Sequence, residues 1–373
     1  MPVLLYLLYG TDDRYHSELT FSVASALHHL AHKQSELRIV LVTDQGNQRP
    51  DLGVEHILIT EEQIFRWQLD GRYNHALKPF VVQHALTLLK EKLAFVDTDT
   101  FFLKDPRLLF ERVGPGRTAL FCDEGALGDG RPGRPALFSD EVALGEDMQD
   151  SWANTVKALP DGVCGYDLSL NTRMNNSGII GIDPADADLL DDVIAVMSAL
   201  RAVDPVFTAE QLAATIVFRE KTMVSFCSDV VDHYLGRSSG YYHYQFQKRY
   251  PKRDALAFQK LVENLPDIQL SPHLGIKSRV LGRFKTIQRG GNATYGHAYS
   301  HYAQAFDTYD DQALANVYSE TALDLLAFGC RKRFDFTQKD FARFAPNNIG
   351  AVDWLSPRSR KRWSLYWEGK LES

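Results

Sequence analysis

Asp97 and Asp99 stand two residues apart, straight after the apolar run Leu93-Ala94-Phe95-Val96. A short run with no polar member fits a strand buried on both faces of a sheet. In extended chain, residues i and i+2 point to the same side, so the two carboxylates would project together. Two carboxylates at the end of a buried strand are costly without a cation between them. The carboxyl ends of strands are also where open α/β sheets bind ligands. A divalent ion that also meets a diphosphate is the economical occupant, because Mg2+ and Mn2+ prefer carboxylate and phosphate oxygens. The plainer reading is a polar turn with both carboxylates in water, and Asp-X-Asp alone does not decide between them.

Other segments carry chemistry of the same kind. Tyr9-Gly10-Thr11-Asp12-Asp13-Arg14-Tyr15 leaves the first apolar run. An aromatic ring and a carboxylate there would grip a planar base and its N–H donors, or simply form a polar loop with Tyr15 packed on the next helix. Lys78 opens the helix before the Asp-X-Asp strand, where it would reach a phosphate or point into water. Asn176-Ser177-Gly178 enters an apolar strand, and its short side chains suit either close approach of a sugar or a turn. Glu210-Gln211 lies in the first turn of an apolar helix, where acidic residues also serve the helix dipole. His273-Leu274-Gly275-Ile276-Lys277 offers a metal ligand, a glycine and a cation, each also an ordinary loop residue. His297 and His301 are four apart, but without a third ligand they read as helix residues.

The elements that must position these groups alternate. Strands are expected at Val3 to Tyr9, Arg38 to Val42, His56 to Ile59, the Leu93 run, Thr118 to Cys122, Ser177 to Ile182 and Met223 to Phe226. Helices are expected from Ser17 to about His32, at 61–69, 77–90, 184–200 and 208–220, and later near 254–264, 295–309 and 311–328. Such alternation implies a mainly parallel, doubly wound sheet. Asp123 to Gln149 is rich in Gly, Pro and acidic residues and reads as a loop or lid on the acceptor side.

The chain of 373 residues is 45% hydrophobic and 24% charged, an ordinary globular composition. A net charge of −7 argues against a general nucleic-acid binder. Cys122, Cys164, Cys227 and Cys330 form no CxxC pair, which suggests buried thiols in a reducing, cytoplasmic setting. No apolar run is long enough to span a bilayer. The tail mixes Arg358, Arg360, Lys361 and Arg362 with Trp354, Trp363, Tyr366 and Trp367. Such a segment would touch anionic lipid at the inner face of a membrane, or pack onto the main body.

Taken in order, these pieces resemble the GT-A-fold glycosyltransferases, most of all the retaining branch with the bacterial lipopolysaccharide galactosyltransferases and glycogenin. The resemblance covers about residues 3 to 285. It implies a Rossmann-like, mixed and mainly parallel sheet flanked by helices in 1–285, with a nucleotide half to 122 and an acceptor half from 123, then a mostly helical extension in 286–373. It implies transfer of a sugar, with retention, from a nucleotide diphosphate donor, UDP above all, to a glycan, glycolipid or protein. Asp12-Asp13-Arg14-Tyr15, with Tyr9 and Thr11, looks like the uridine loop. Lys78 is placed like the basic residue that contacts the nucleotide sugar. Asp97-Thr98-Asp99 looks like the motif that holds Mn2+ or Mg2+ and the diphosphate. Asn176-Ser177-Gly178 matches the sugar-pocket segment. Glu210-Gln211 resembles the pair beneath the anomeric carbon, with Glu in place of Asp. His273, Gly275 and Lys277 resemble the late metal and diphosphate motif at a tighter spacing. Gln211, Glu210 and Asp99 would be the catalytic residues, and Asp97, Asp99 and His273 the metal ligands.

Two other readings stay open. A haloacid dehalogenase-type phosphatase also uses a strand ending in Asp-X-Asp, but wants Thr or Val where this chain has Phe101. A non-catalytic carbohydrate-binding protein on the same fold is the other. A nicotinamide enzyme is disfavoured, since no GxGxxG follows the first strand.

Overall fold

The structure is a computed structural model. It describes the chain except residues 31–35, 130–145, 204–207, 235–238, 251–253, 266–273, 289–292, 330–337, 350–351 and 368–373. Two compact units divide the chain. The first comprises Met1–Leu137, Glu146–Tyr234 and Arg249–Pro266; the second comprises Phe138–Gly145, Leu235–Lys248 and Asp267–Ser373. Residue 285 lies inside a helix, Ile276–Gln288.

The first unit is built on eleven described strands. They are β1 (Val3–Leu8), β2 (Arg38–Thr43), β3 (Glu55–Leu58), β4 (Leu93–Val96), β5 (Thr100–Phe102), β6 (Arg117–Leu120), β7 (Asp123–Ala126), β8 (Arg173–Asn175), β9 (Ile179–Ile182), β10 (Met223–Phe226) and β11 (Val231–His233). Seven form one sheet in the order β10-β6-β9-β4-β1-β2-β3. β9 alone runs against its neighbours β4 and β6; the remaining pairs are parallel. The sheet is mainly parallel, as the alternating pattern predicts, and β9 makes it mixed, as the resemblance implies. β1 and β4 sit at its centre, and their apolar residues are almost wholly buried, as strands covered on both faces must be.

Helices α1 (Asp13–Leu30), α2 (Glu61–Trp67), α3 (Leu77–Leu89), α4 (Arg107–Phe110), α5 (Glu146–Ala158), α6 (Leu189–Val203) and α7 (Ala209–Lys221) accompany the strands. α1 begins at Asp13, four residues before the Ser17 cap that the sequence suggests. It buries several hydroxyls along with its apolar residues. Ser22 Oγ lies 3.0 Å from Tyr6 Oη and 2.7 Å from Thr100 Oγ1, and Ser25 Oγ accepts the Phe102 amide at 2.9 Å. Buried hydroxyls thus pin β5, the strand that follows Asp99.

Two small sheets were not anticipated. β5 pairs with β11, and β7 pairs with β8, both antiparallel. The stretch expected to be irregular from Asp123 therefore starts as a strand and ends in α5; residues 130–145, the body of the expected lid, lie outside the described residues. Cys122 and Cys227 are buried as expected, whereas Cys164 is exposed.

The chain continues through α8 (Ser239–Arg249) and α9 (Ala255–Glu263). The second unit then holds α10 (Ile276–Gln288), α11 (Ala293–Asp307), α12 (Gln312–Gly329), α13 (Pro346–Ile349) and α14 (Pro357–Trp367). An aromatic cluster fills it: the rings of Phe344 and Trp363 are 4.6 Å apart and those of Tyr302 and Phe341 5.0 Å. No helix among the described residues is long and apolar enough to cross a membrane.

Candidate functional site

The topology brings distant segments to one edge of the sheet. β9 runs against β4, so Val96 at the carboxyl end of β4 pairs with Ile179 at the start of β9. Asn176-Ser177-Gly178 therefore arrives beside Asp97, whose amide donates to the Gly178 carbonyl at 2.9 Å. β11 runs against β5, so His233 pairs with Thr100. The Tyr234 amide donates to the Asp99 carbonyl at 3.1 Å, which closes the frame.

Within that frame, Asp97, Asp99 and His233 converge, with their ligand atoms all within 4.8 Å of one another. His233 Nε2 lies 3.0 Å from Asp99 Oδ1 and 3.8 Å from Asp97 Oδ2. The strand geometry assumed above is not what aligns the two aspartates. Residues 97–99 form a bend between β4 and β5, held by the Thr100 hydroxyl, which donates to the Asp97 carbonyl at 2.8 Å.

A chain of hydrogen bonds fixes the imidazole. Asn176 Nδ2 donates to Glu124 Oε1 at 2.8 Å, and Asn176 Oδ1 accepts the Gly178 amide at 2.8 Å. Both contacts orient the amide the same way, so its oxygen faces His233 Nδ1 at 3.0 Å. Nδ1 must then carry the proton. That leaves Nε2 aimed at the aspartates, needing either a second proton or a metal. Burial pulls the His233 pKa down, yet Asp99 and Asp97 outweigh it and raise it. Burial likewise pushes Asp99 up, and the imidazole beside it wins and holds it low. Burial raises Asp97 despite Lys78 and His233.

Two oxygen donors and one imidazole suit a divalent cation. The carboxylates fit Mg2+ or Mn2+, and the nitrogen favours the softer Mn2+. Among the described residues this is the one cluster of three such ligands. His297 and His301 therefore have no third ligand there.

Lys78 Nζ donates to Asp97 Oδ2 at 2.9 Å, to the Ser177 carbonyl at 3.1 Å and to Ser177 Oγ at 3.3 Å, and lies 4.0 Å from Glu210 Oε1. Burial would lower its pKa, but Asp97 and Glu210 raise it, so it stays charged. Glu210 is buried, accepting from Tyr73 Oη at 2.6 Å and from Ser177 Oγ at 3.2 Å. Gln211 Nε2 donates to Glu124 Oε2 at 2.7 Å, while its Oε1 faces the Ser177 amide at 3.4 Å. Glu124 thus ties the Gln211 and Asn176 amides together, and burial raises its pKa.

At the end of β1, Asp12 accepts from the Arg14 amide at 2.9 Å and from the Arg14 guanidinium. Asp13 begins α1, and Tyr15 is half exposed at its first turn. Tyr9 and Thr11 belong to the same loop, and Thr98 Oγ1 donates to Glu18 Oε2 at 3.1 Å. Gly275 and Lys277 belong to the second unit. The Gly275 amide donates to Gln304 Oε1 at 2.7 Å, and Lys277 pairs with Asp307 at 2.9 Å. His273 lies outside the described residues.

Three residues of this site escape a reading of the sequence: His233, Glu124 and Tyr73. Val231 and His233 share one side of a strand, a period-two hint too short to stand alone. The structure also gives Gly178 a specific cause. A Cβ there would lie 2.2 Å from His233 Cε1 and Nδ1, so the imidazole already fills the space. Gly178→Ala should cost about 1–3 kcal/mol by overpacking and loosen the centre. The double variant Gly178→Ala/His233→Ala should recover the melting temperature without metal binding. Equal melting temperatures for wild type and Gly178→Ala would count against this packing.

No family model matches the chain, and no curated protein matches it. Among solved structures, mouse xyloside xylosyltransferase 1 in its apo form is similar, with a TM-score of 0.36 and 10% identity, covering 61% of this chain and 85% of that chain. A likeness that shallow bears on neither the reaction nor the residues of this site.

Proposed function

We propose that the protein is a metal-dependent glycosyltransferase of the GT-A type. In this reading it moves a sugar from a UDP-sugar to a glycan, glycolipid or protein acceptor with retention. The supporting observation is the convergence of Asp97, Asp99 and His233 with Lys78 at the carboxyl edge of the sheet. Departure of a nucleoside diphosphate builds negative charge, which preorganised cations stabilise. A bound Mn2+ or Mg2+ would neutralise diphosphate oxygens. Lys78 would contribute the fixed protein cation beside it. Tyr9, Thr11, Asp12, Asp13 and Tyr15 would hold the uridine. Asn176, Ser177 and Gly178 would line the sugar pocket.

Gln211 would meet the electron-poor anomeric carbon. Glu124 takes its N–H2, which fixes the amide so that Oε1, which also faces the Ser177 amide, is the end that would meet such a centre. Glu210, held by Tyr73 and Ser177, would add negative charge nearby. Buried free thiols at Cys122 and Cys227 suit a reducing, cytoplasmic setting. The test is a hydrolysis and transfer screen across nucleotide sugars, with Mn2+ and with excess chelator, followed by proton NMR of the first product. Metal-dependent consumption of a UDP-sugar with retained configuration is expected. Release of phosphate from simple phosphate esters without nucleotide-sugar turnover would overturn the reading, and an inverted product would remove Gln211 from this role.

A further inference from the structure

We propose that the outer face of α10 (Ile276–Gln288) docks the protein on an anionic lipid surface. The helix is built inside out. At about 100° per residue, Ser278, Gly282 and Thr286 share one face. That face meets α11 at backbone distance: a Cβ on Gly282 would lie 1.8 Å from Ser300 Oγ and 2.4 Å from the Gly296 carbonyl. The large apolar residues lie on the other side. Ile276, Val280, Phe284 and Ile287 fall within one arc of about 80°, and they are 73%, 62%, 55% and 71% exposed. A helix of a globular protein normally turns such a stripe inward. Contiguous apolar exposure of this kind marks an interaction surface.

Charge selects the occupant. α10 contains Lys277, Arg279, Arg283 and Lys285 and no acidic residue, within a chain of net charge −7. Arg279 and Arg283 flank the apolar arc on one side and Lys277 on the other. Both arginines are exposed, and neither makes a salt bridge among the described residues. An apolar stripe bordered by cations is the pattern of a helix lying in a lipid interface, with its chains below and anionic headgroups at its edges. The tail helix α14 offers less. Trp363 is buried and donates to Ser319 Oγ at 2.8 Å, while Arg362 pairs with Glu320 and Asp324.

Cosedimentation of the full chain tests this. The vesicles are phosphatidylcholine alone, and phosphatidylcholine mixed with phosphatidylglycerol. Binding is expected to the mixed vesicles and to weaken with added salt. Phe284→Asp/Ile287→Asp should abolish it. Arg279→Glu/Arg283→Glu should weaken it by roughly tenfold or more, since each basic residue at an anionic surface contributes on the order of a fivefold factor. All four positions are exposed, so circular dichroism and melting temperature should stay at wild-type values. Equal binding to both vesicle types would overturn the anionic specificity. No vesicle binding, with self-association in sedimentation velocity that Phe284→Asp removes, would assign the face to a second copy of the chain and overturn the proposal.

Discussion

Asp99→Ala and His233→Ala should each weaken Mn2+ binding by more than about 100-fold, and with it any metal-dependent binding of UDP. Changing a residue that only orients a ligand costs about 10–100-fold in metal affinity, so loss of a ligand itself should exceed that range. Asn176→Ala, which removes the acceptor for His233 Nδ1, should fall within the range. Titration calorimetry of the protein with Mn2+, and then of the Mn2+-loaded protein with UDP, reads all three. Circular dichroism separates loss of the site from loss of the fold. His273→Ala is the informative companion. His233 already offers a third ligand beside Asp97 and Asp99; on the reading that these three hold the ion, His273→Ala should bind Mn2+ as the wild type does. If His273→Ala abolishes binding and His233→Ala does not, the triad is a structural cluster and the metal is held elsewhere. Unchanged UDP affinity in excess chelator would detach the nucleotide from the metal altogether.

The contrast between those two histidines shows where the sequence is legible. Leu93 to Val96 announces itself as a strand buried on both faces, because four consecutive residues are apolar, and β4 is wholly buried in the sheet as expected. Lys78, Ser177, Glu210 and Gln211 are also recognisable by type and place, and the structure gathers them around Asp97 and Glu124. His233 is not recognisable. It ends a three-residue strand whose partner, Thr100 to Phe102, lies far back in the chain, and three residues carry no usable period. Glu124 hides for a similar reason. Asp-Glu-Gly reads as a turn, and its pairing with β8 depends on residues some fifty positions later. Tyr73 reads as a loop aromatic; only tertiary structure places its hydroxyl on Glu210. Long-range antiparallel pairing places His233 and Glu124, and a long-range contact with α7 places Tyr73; none of these shows in local composition.

Lys78→Ala should destabilise the protein by about 3–5 kcal/mol, because removing one member of a buried ion pair leaves the other uncompensated. Here two carboxylates lose their cation. Asp97 Oδ2 lies 2.9 Å from Lys78 Nζ, and Glu210 Oε1 lies 4.0 Å away. Asp97 keeps about a quarter of its side chain in contact with water, which places the expected cost toward the lower end. Glu210 has almost no such contact, so its share is the larger. A double-mutant cycle in chemical denaturation separates the two. Glu210→Gln keeps a hydrogen-bond acceptor for Tyr73 and removes the buried charge. Lys78→Ala/Glu210→Gln should therefore be more stable than Lys78→Ala alone. Saturating Mn2+ should narrow the remaining deficit, since a cation on Asp97 and Asp99 takes over part of what the ammonium did. Donor turnover should stay low in every Lys78→Ala background, because the metal cannot also stand where the ammonium stands. Wild-type stability in Lys78→Ala would mean that Asp97 and Glu210 rest easily without it. The lysine would then be held in place for a ligand and not for the fold.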